Sequence, residues 1–203
     1  MSWNDPEEQA TFKKVLDESG IPYETIQEYG REFVVWPKNY SDKVDIIIRH
    51  GFGVDPDSKA QMLFELGRPK EAIALLTKLA DNGDMEAQVA LGLHYVLGRF
   101  VEKDYSKARH LYTAAIDLGS RVALVNLGVL YENGWSVTKD EVKAFELYQR
   151  AADNYQIVAA MCKVGQFYED GKAGLTKDVI KANEWYAQAK RRSGVNLDCR
   201  KLR

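Results

Sequence analysis

The chain has 203 residues, 45% of them apolar and 29% charged, with a formal net charge of -2. That balance creates no global field to recruit nucleic acid or an anionic membrane. No run approaches the roughly eighteen apolar residues of a membrane span, and Met1-Ser2-Trp3-Asn4-Asp5-Pro6-Glu7-Glu8 lacks the basic start and apolar stretch of a secretory signal, so the expected location is cytoplasmic.

Residues 1–57 read as a small α-β-β-α module. From Pro6 to Leu16 the apolar residues have helical spacing, with Asp5 as N-cap, Pro6 in the first turn and a stop near Gly20. Tyr23 to Gln27 and Glu32 to Trp36 are rich in β-branched and aromatic residues and flank Glu28-Tyr29-Gly30-Arg31, which reads as a hairpin ended by Pro37. Ser41 to Arg49 fits a helix or a third strand, because periodicity does not separate the two over so short a length. A two-stranded hairpin is marginal alone, so the module is expected to pack on the first helical pair after it. The connection holds Gly51-Phe52-Gly53, which lacks the lysine and serine of a phosphate loop.

Beyond residue 57 a period takes over. Residues 58–83 form a degenerate first copy, with Ala60 and Phe64 on a shortened helix and Ala72, Leu75, Leu76 and Leu79 on a second. Three full copies fill 84–192. The first reads Ala87, Leu91, Gly92, Tyr95, Gly98, then Asp104, Lys107, Ala108, Leu111, Tyr112, Ala115. The next carries Ala123, Leu127, Gly128, Tyr131, Gly134, Asp140, Lys143, Ala144, Leu147, Tyr148, Ala151, thirty-six residues on at each position. The third carries Ala160, Val164, Gly165, Tyr168, Gly171, Asp178, Lys181, Ala182, Trp185, Tyr186, Ala189, with one residue added before it and one in its loop. Spacings of three and four mark two amphipathic helices per copy, the glycine ending the first helix and the aspartate capping the second. The mid-helix glycines imply a close helix crossing, and Tyr95, Tyr131 and Tyr168 are expected to fill space between units. The expected fold is mainly α: four stacked helical hairpins behind a small α+β module.

Little here points to catalysis. His50, His94 and His110 have no partner at ligand or triad spacing, and Asp140-Glu141 and Glu169-Asp170 sit near helix ends, where carboxylates cap or stay solvated. Cys162 stands beside Lys163 on a helix, where a buried structural thiol is the commoner case. With only Cys199 as a second cysteine, a reducing compartment disfavours a bridge. No cofactor or metal is expected. The basic tail, 193–203 with Lys190, Arg191 and Arg192 before it, has no aromatic residue for base stacking and reads as a solvated extension.

The pattern A-x3-LG-x2-Y-x2-G, a loop, then D-x2-KA-x2-[LW]Y-x2-A resembles the Sel-1-like repeat, a branch of the tetratricopeptide superfamily. The resemblance implies a right-handed α-solenoid serving as adaptor or scaffold. It departs from the secreted, cysteine-rich, penicillin-binding members, whose disulfide in each repeat has no counterpart here. In tetratricopeptide-like solenoids the first helix of each pair lines the concave face, which implies a partner groove of Val89, Leu93 and Val96, then Val125, Val129 and Glu132, then Cys162, Gln166 and Glu169. The valines would be open or covered by the N-terminal module, while Glu132 and Glu169 are expected to stand free for a basic or polar partner. The expected function is a non-catalytic protein–protein interaction module, monomeric, with toxin-occluding bacterial immunity proteins among short proteins of this look. The alternatives are a hydrolase of the penicillin-binding type, for which no serine–lysine or serine–histidine arrangement is offered, and a nucleic-acid-associated factor using the basic tail.

Overall fold

Asp5 accepts a hydrogen bond from the Glu7 amide at 2.8 Å and Pro6 takes the first helical position, so α1 (Pro6–Glu18) begins where its sequence signals place it. The computed structural model describes residues 5–28, 31–49, 56–195 and 197–202; the hairpin tip at 29–30, His50 and the Gly51-Phe52-Gly53 connection lie outside them. The chain divides into two compact units, Met1–Lys78 and Leu79–Arg203.

In the first unit β1 (Glu24–Glu28) and β2 (Arg31–Val35) pair antiparallel, with Glu28 opposite Arg31 and Thr25 opposite Val34. The run from Ser41, open between helix and strand in the sequence, is a helix, α2 (Ser41–Arg49). Its buried residues are Val44 and Ile47, three apart, which a helix places on one face and a strand on opposite faces. One core gathers Phe12 and Leu16 of α1, Ile21, Val34, Val44 and Ile47, and Met62 of α3 (Pro56–Glu65) joins it. Phe12 and Trp36 meet edge to face at 6.0 Å. Helix α4 (Pro69–Asp81) crosses the boundary between the units.

The second unit is an α-solenoid of three helical pairs: α5 (Met85–Leu97) with α6 (Tyr105–Asp117), α7 (Arg121–Asn133) with α8 (Glu141–Tyr155), and α9 (Val158–Asp170) with α10 (Val179–Ser193). Each helix packs on the next in chain order. The repeated residues have one physical job each. Gly98, Gly134 and Gly171 end the first helices in left-handed geometry, at φ of 64°, 68° and 70°. Asp104, Asp140 and Asp178 cap the second helices by accepting from the Lys107, Lys143 and Lys181 amides, each at 2.9 Å. Those same lysines lay their ammonium groups over Tyr95, Tyr131 and Tyr168, at 5.1, 4.7 and 5.4 Å from the ring centres.

The close helix crossing expected at the mid-helix glycines is there, made by a tyrosine of the second helix. A Cβ on Gly92 or Gly128 would lie 2.6 Å from the ring of Tyr112 or Tyr148, and one on Gly165 would lie 2.4 Å from Tyr186. The missing side chain admits the second helix's aromatic ring within the same repeat. Burying such a ring stabilises by roughly 2–3 kcal/mol, more than the roughly 1 kcal/mol that glycine costs inside a helix. Tyr95, Tyr131 and Tyr168 are half-buried under their lysines and pack, as expected, against cores that neighbouring pairs share, Tyr168 meeting Phe145 of the preceding repeat edge to face at 5.7 Å.

Candidate partner-binding groove

The expected groove residues lie on one stripe of each first helix, and that stripe faces the next unit. Glu132 shows it directly: on α7 it accepts from Lys163 Nζ of α9 at 3.0 Å and from Lys172 Nζ, just past α9, at 3.0 Å. Val125 and Val129 stand seven and three residues earlier on the same face, half-buried against the core that includes Met161, Cys162 and Phe167. Val89 and Val96 pack likewise against the core that includes Leu127 and Leu130 of α7. Leu93 is the open member, 46% exposed.

Glu132 and Glu169 are not free, which corrects the expectation of an open acidic end. Besides its two lysines, Glu132 accepts from Tyr148 Oη at 2.9 Å. Burial alone would raise its carboxyl; the bonds to Lys163, Lys172 and Tyr148 outweigh that and hold it below the ordinary glutamate value. Burial, and then the Glu132 charge, push the Tyr148 hydroxyl far above the ordinary tyrosine range. One repeat further on, Glu169 accepts from Tyr186 Oη at 3.1 Å and from Arg200 Nε at 2.7 Å. The carboxylates sit at the same register, each bonded to the tyrosine of its own second helix and to a cation from a later part of the chain. In the first repeat the register holds Val96, and Tyr112 is buried without that carboxylate.

After the third repeat the tail is docked rather than solvated, a second correction. Cys199 is buried and joined to Cys162 by a disulfide, with Cα atoms 5.0 Å apart, so neither residue keeps the free thiol expected of it. Gln166, also buried, donates to the Cys199 carbonyl at 2.7 Å. Arg200 also donates to Asn183 Oδ1 at 3.0 Å and lies 4.8 Å over the Tyr186 ring, as Lys163 lies 5.9 Å over Tyr148. Cys162, Gln166 and Glu169 hold the register of Val125, Val129 and Glu132, and all three grip residues 199–200. The short 3-10 turn Cys199–Leu202 packs against α9, on the face where a further repeat would stack. Sequence reasoning missed Lys163, Lys172 and Arg200 as partners. The available signal was the valine-to-polar change along that register in the last copy.

The remaining candidates stay apart. His94 is half-buried with Nδ1 3.0 Å from the Arg99 carbonyl, and burial lowers its pKa. His110 lies exposed on α6 beside Arg109. Among the described residues no group of three or more His, Cys, Asp or Glu side chains is placed to hold a metal, and no helix is long and apolar enough to cross a membrane.

Tandem helical hairpins with a glycine-to-tyrosine fit and a capped last face define a repeat solenoid of the tetratricopeptide-like class. Residues 68–84, 86–120, 121–155 and 158–193 match the Sel1 repeat, and the chain belongs to the Sel1 repeat family. A search of curated proteins returned no match. Among solved structures it is similar to a Sel1 repeat protein from Oxalobacter formigenes, 33% identical, covering 63% of this chain and 92% of that one with a TM-score of 0.51. It is similar also to a protein from Klebsiella pneumoniae subsp. pneumoniae assigned to the Sel1 repeats, 24% identical over 74% of each chain, TM-score 0.55. A protective antigen of uropathogenic Escherichia coli strains, with an SLR fold, shares the architecture at 19% identity and a TM-score of 0.62, over 91% of this chain and 38% of that one. Sel1 repeats generally mediate protein–protein interaction and are typically non-catalytic.

Proposed function

We propose that this chain is a protein-interaction scaffold that seats its partner along the first helices of its first two full repeats, at Val89, Leu93, Val96, Val125 and Val129. The single observation that carries this reading is Leu93: an apolar side chain 46% exposed between half-buried valines, on a stripe whose third-repeat counterpart is closed by the tail. Gln166 and Glu169 then act as the fastening of that closure, and a partner needs no basic group to meet Glu132. Nothing in the groove selects a toxin over another protein, so the immunity role adds no residue to test. The basic tail is a poorer nucleic-acid site than its composition suggests, because Arg200 is engaged by Glu169 and Asn183. A disulfide of this kind is usual in oxidising compartments, which weighs against a cytoplasmic location.

The test is affinity capture from host extract with the full chain and with Leu93→Asp, read by mass spectrometry. A stoichiometric protein retained by the wild type and lost by the folded variant is the expected result. Retention of the same proteins by both forms would remove the groove from consideration.

A further inference from the structure

Where the repeats join, two arginines from different repeats line one groove of about 380 Å³, together with Val122, Tyr155, Ile157 and Val158. They are Arg121, the first residue of α7, and Arg192, in the last turn of α10. The volume lies within the roughly 300–1,000 Å³ of ligand-binding clefts. Val122 is 51% exposed, so the apolar wall is open to an occupant. Met85 and Glu86 line the groove too, which places it at the N-terminal ends of the first helices. Leu93 lies about two turns further along α5.

Both charges depart from the repeat pattern. The register of Arg121 holds Met85 in the first repeat and Val158 in the third, and that of Arg192 holds Leu118 and Asn154. A cation at the first position of a helix opposes the helix dipole. Arg121 lies 5.9 Å over the Tyr155 ring, a contact that holds its side chain on the groove wall and leaves its charge unneutralised. Arg192 makes no hydrogen bond, ion pair or ring contact among the described residues. Positive charge suits a helix C-terminus, yet α6 and α8 end without a basic residue in the last turn, and α10 has Lys190 and Arg191 there besides. Glu86, the one acid lining the groove among the described residues, pairs with neither arginine. Two guanidiniums gathered on one partly apolar wall repel each other in the free protein and attract a ligand whose carboxylates meet both. We propose that this groove binds an acidic, aliphatic segment of a partner protein. The side-chain carboxylates of the segment meet Arg121 and Arg192, each guanidinium donating paired N–H bonds, and its Val or Leu side chains seat on Val122, Ile157 and Val158. Nucleic acid fits less well, because Tyr155, the one aromatic ring on the wall, already carries Arg121 on its face and offers none for base stacking. The site goes beyond the apolar groove around Leu93 and does not rest on it.

The experiment uses the full chain and fluorescein-labelled, C-terminally amidated peptides, read by fluorescence anisotropy. One peptide alternates Glu with Val and Leu; the second has Lys for every Glu; the third has Ser for every Val and Leu. A single-stranded oligonucleotide of equal charge is the fourth probe. The protein variants are Arg192→Asn and Arg121→Met, which install residues that other repeats carry at those registers, and Leu93→Asp. The Glu-rich peptide should bind wild type, and each arginine variant should weaken it by about tenfold, the size of a lost charged hydrogen bond. Raising salt should weaken it further. Arg192→Asn should keep the wild-type Tm, since Arg192 has no bonded partner in the fold to lose, and this separates loss of contact from loss of fold. Absent binding of the Glu-rich peptide, equal binding of any of the other three probes, or unchanged binding by either arginine variant overturns the site. Leu93→Asp should bind the peptide as wild type does. Loss of the peptide in Leu93→Asp would place it in the groove around Leu93, which overturns this site and leaves that groove standing. Peptide binding that survives Leu93→Asp, while Leu93→Asp also retains every captured host protein, keeps this site and removes the groove.

Discussion

The first and last full repeats share a backbone plan and differ in what they present outward. At the same three registers the first offers Val89, Leu93 and Val96, while the last offers Cys162, Gln166 and Glu169, all fastened to the tail. One end is sealed by polar and covalent bonds, and the other keeps apolar surface at Leu93, Leu97 and Phe100. A solenoid must close its last stacking face or expose it. Here closure reuses the bond set that joins two repeats, a carboxylate held between a tyrosine and a cation.

The strongest way to break this comparison is to open the sealed end. The disulfide spans 37 residues of sequence, a loop for which cross-linking stabilises by roughly 3–4 kcal/mol. Reduction, or Cys162→Ser with Cys199→Ser, should lower the guanidinium midpoint accordingly and expose 197–202 to proteolysis before the first repeat yields. A midpoint unmoved by reductant would mean that Gln166 and Arg200 hold the tail unaided.

Next in size is the internal node that the tail imitates. Glu132→Gln removes the charge that faces Lys163 and Lys172 but keeps the shape; since those lysines reach solvent, the cost at neutral pH is about 2 kcal/mol rather than the full value of a buried pair. Because folding depresses the Glu132 carboxyl, its contribution is present above the unfolded glutamate value and is lost as pH falls through the folded one. Urea unfolding of wild type and Glu132→Gln should therefore differ at neutral pH and converge in acid. A difference that persists in acid would assign the effect to packing.

A smaller effect probes the shared plan. Gly128→Ala sets a Cβ 2.6 Å from the Tyr148 ring carbon, and overpacking costs about 1–3 kcal/mol against the roughly 1 kcal/mol that alanine returns in helix propensity. A net loss of about 1 kcal/mol is expected on thermal unfolding. A gain would show that the ring can withdraw.

Much of this plan was legible in sequence because it is local. The Asp104, Asp140 and Asp178 caps and the left-handed Gly98 and Gly134 each depend on a few neighbouring residues, and the period repeats the signal. What joins distant residues was not legible. Lys172 reaches back forty residues to Glu132, and Arg200 reaches thirty-one to Glu169, spacings that no helical period carries. The tail read as solvated because residues 190–203, with six basic residues against one acid, look like a solvated stretch until Glu169 is known to face Arg200. The run 41–49 stayed open for a different reason: nine residues hold too few turns for the 3.6 and 2 periods to separate.

The smallest expected effect on stability is also the sharpest test of the difference between the ends. Leu93 and Val129 share a register, yet Leu93 is 46% exposed while Val129 is half-buried three residues from Glu132. An aspartate at 93 meets solvent and should shift stability by no more than about 0.5 kcal/mol, the range of ordinary surface changes. At 129 the same aspartate loses water and faces the Glu132 carboxylate, so Val129→Asp should unfold well before Leu93→Asp in urea. Equal midpoints near wild type would mean that the second repeat's stripe is as open as the first, and the groove would extend to the tail. Equal and large losses would mean that Leu93 is held by packing, and the open end of the array would lie at Leu97 and Phe100 alone.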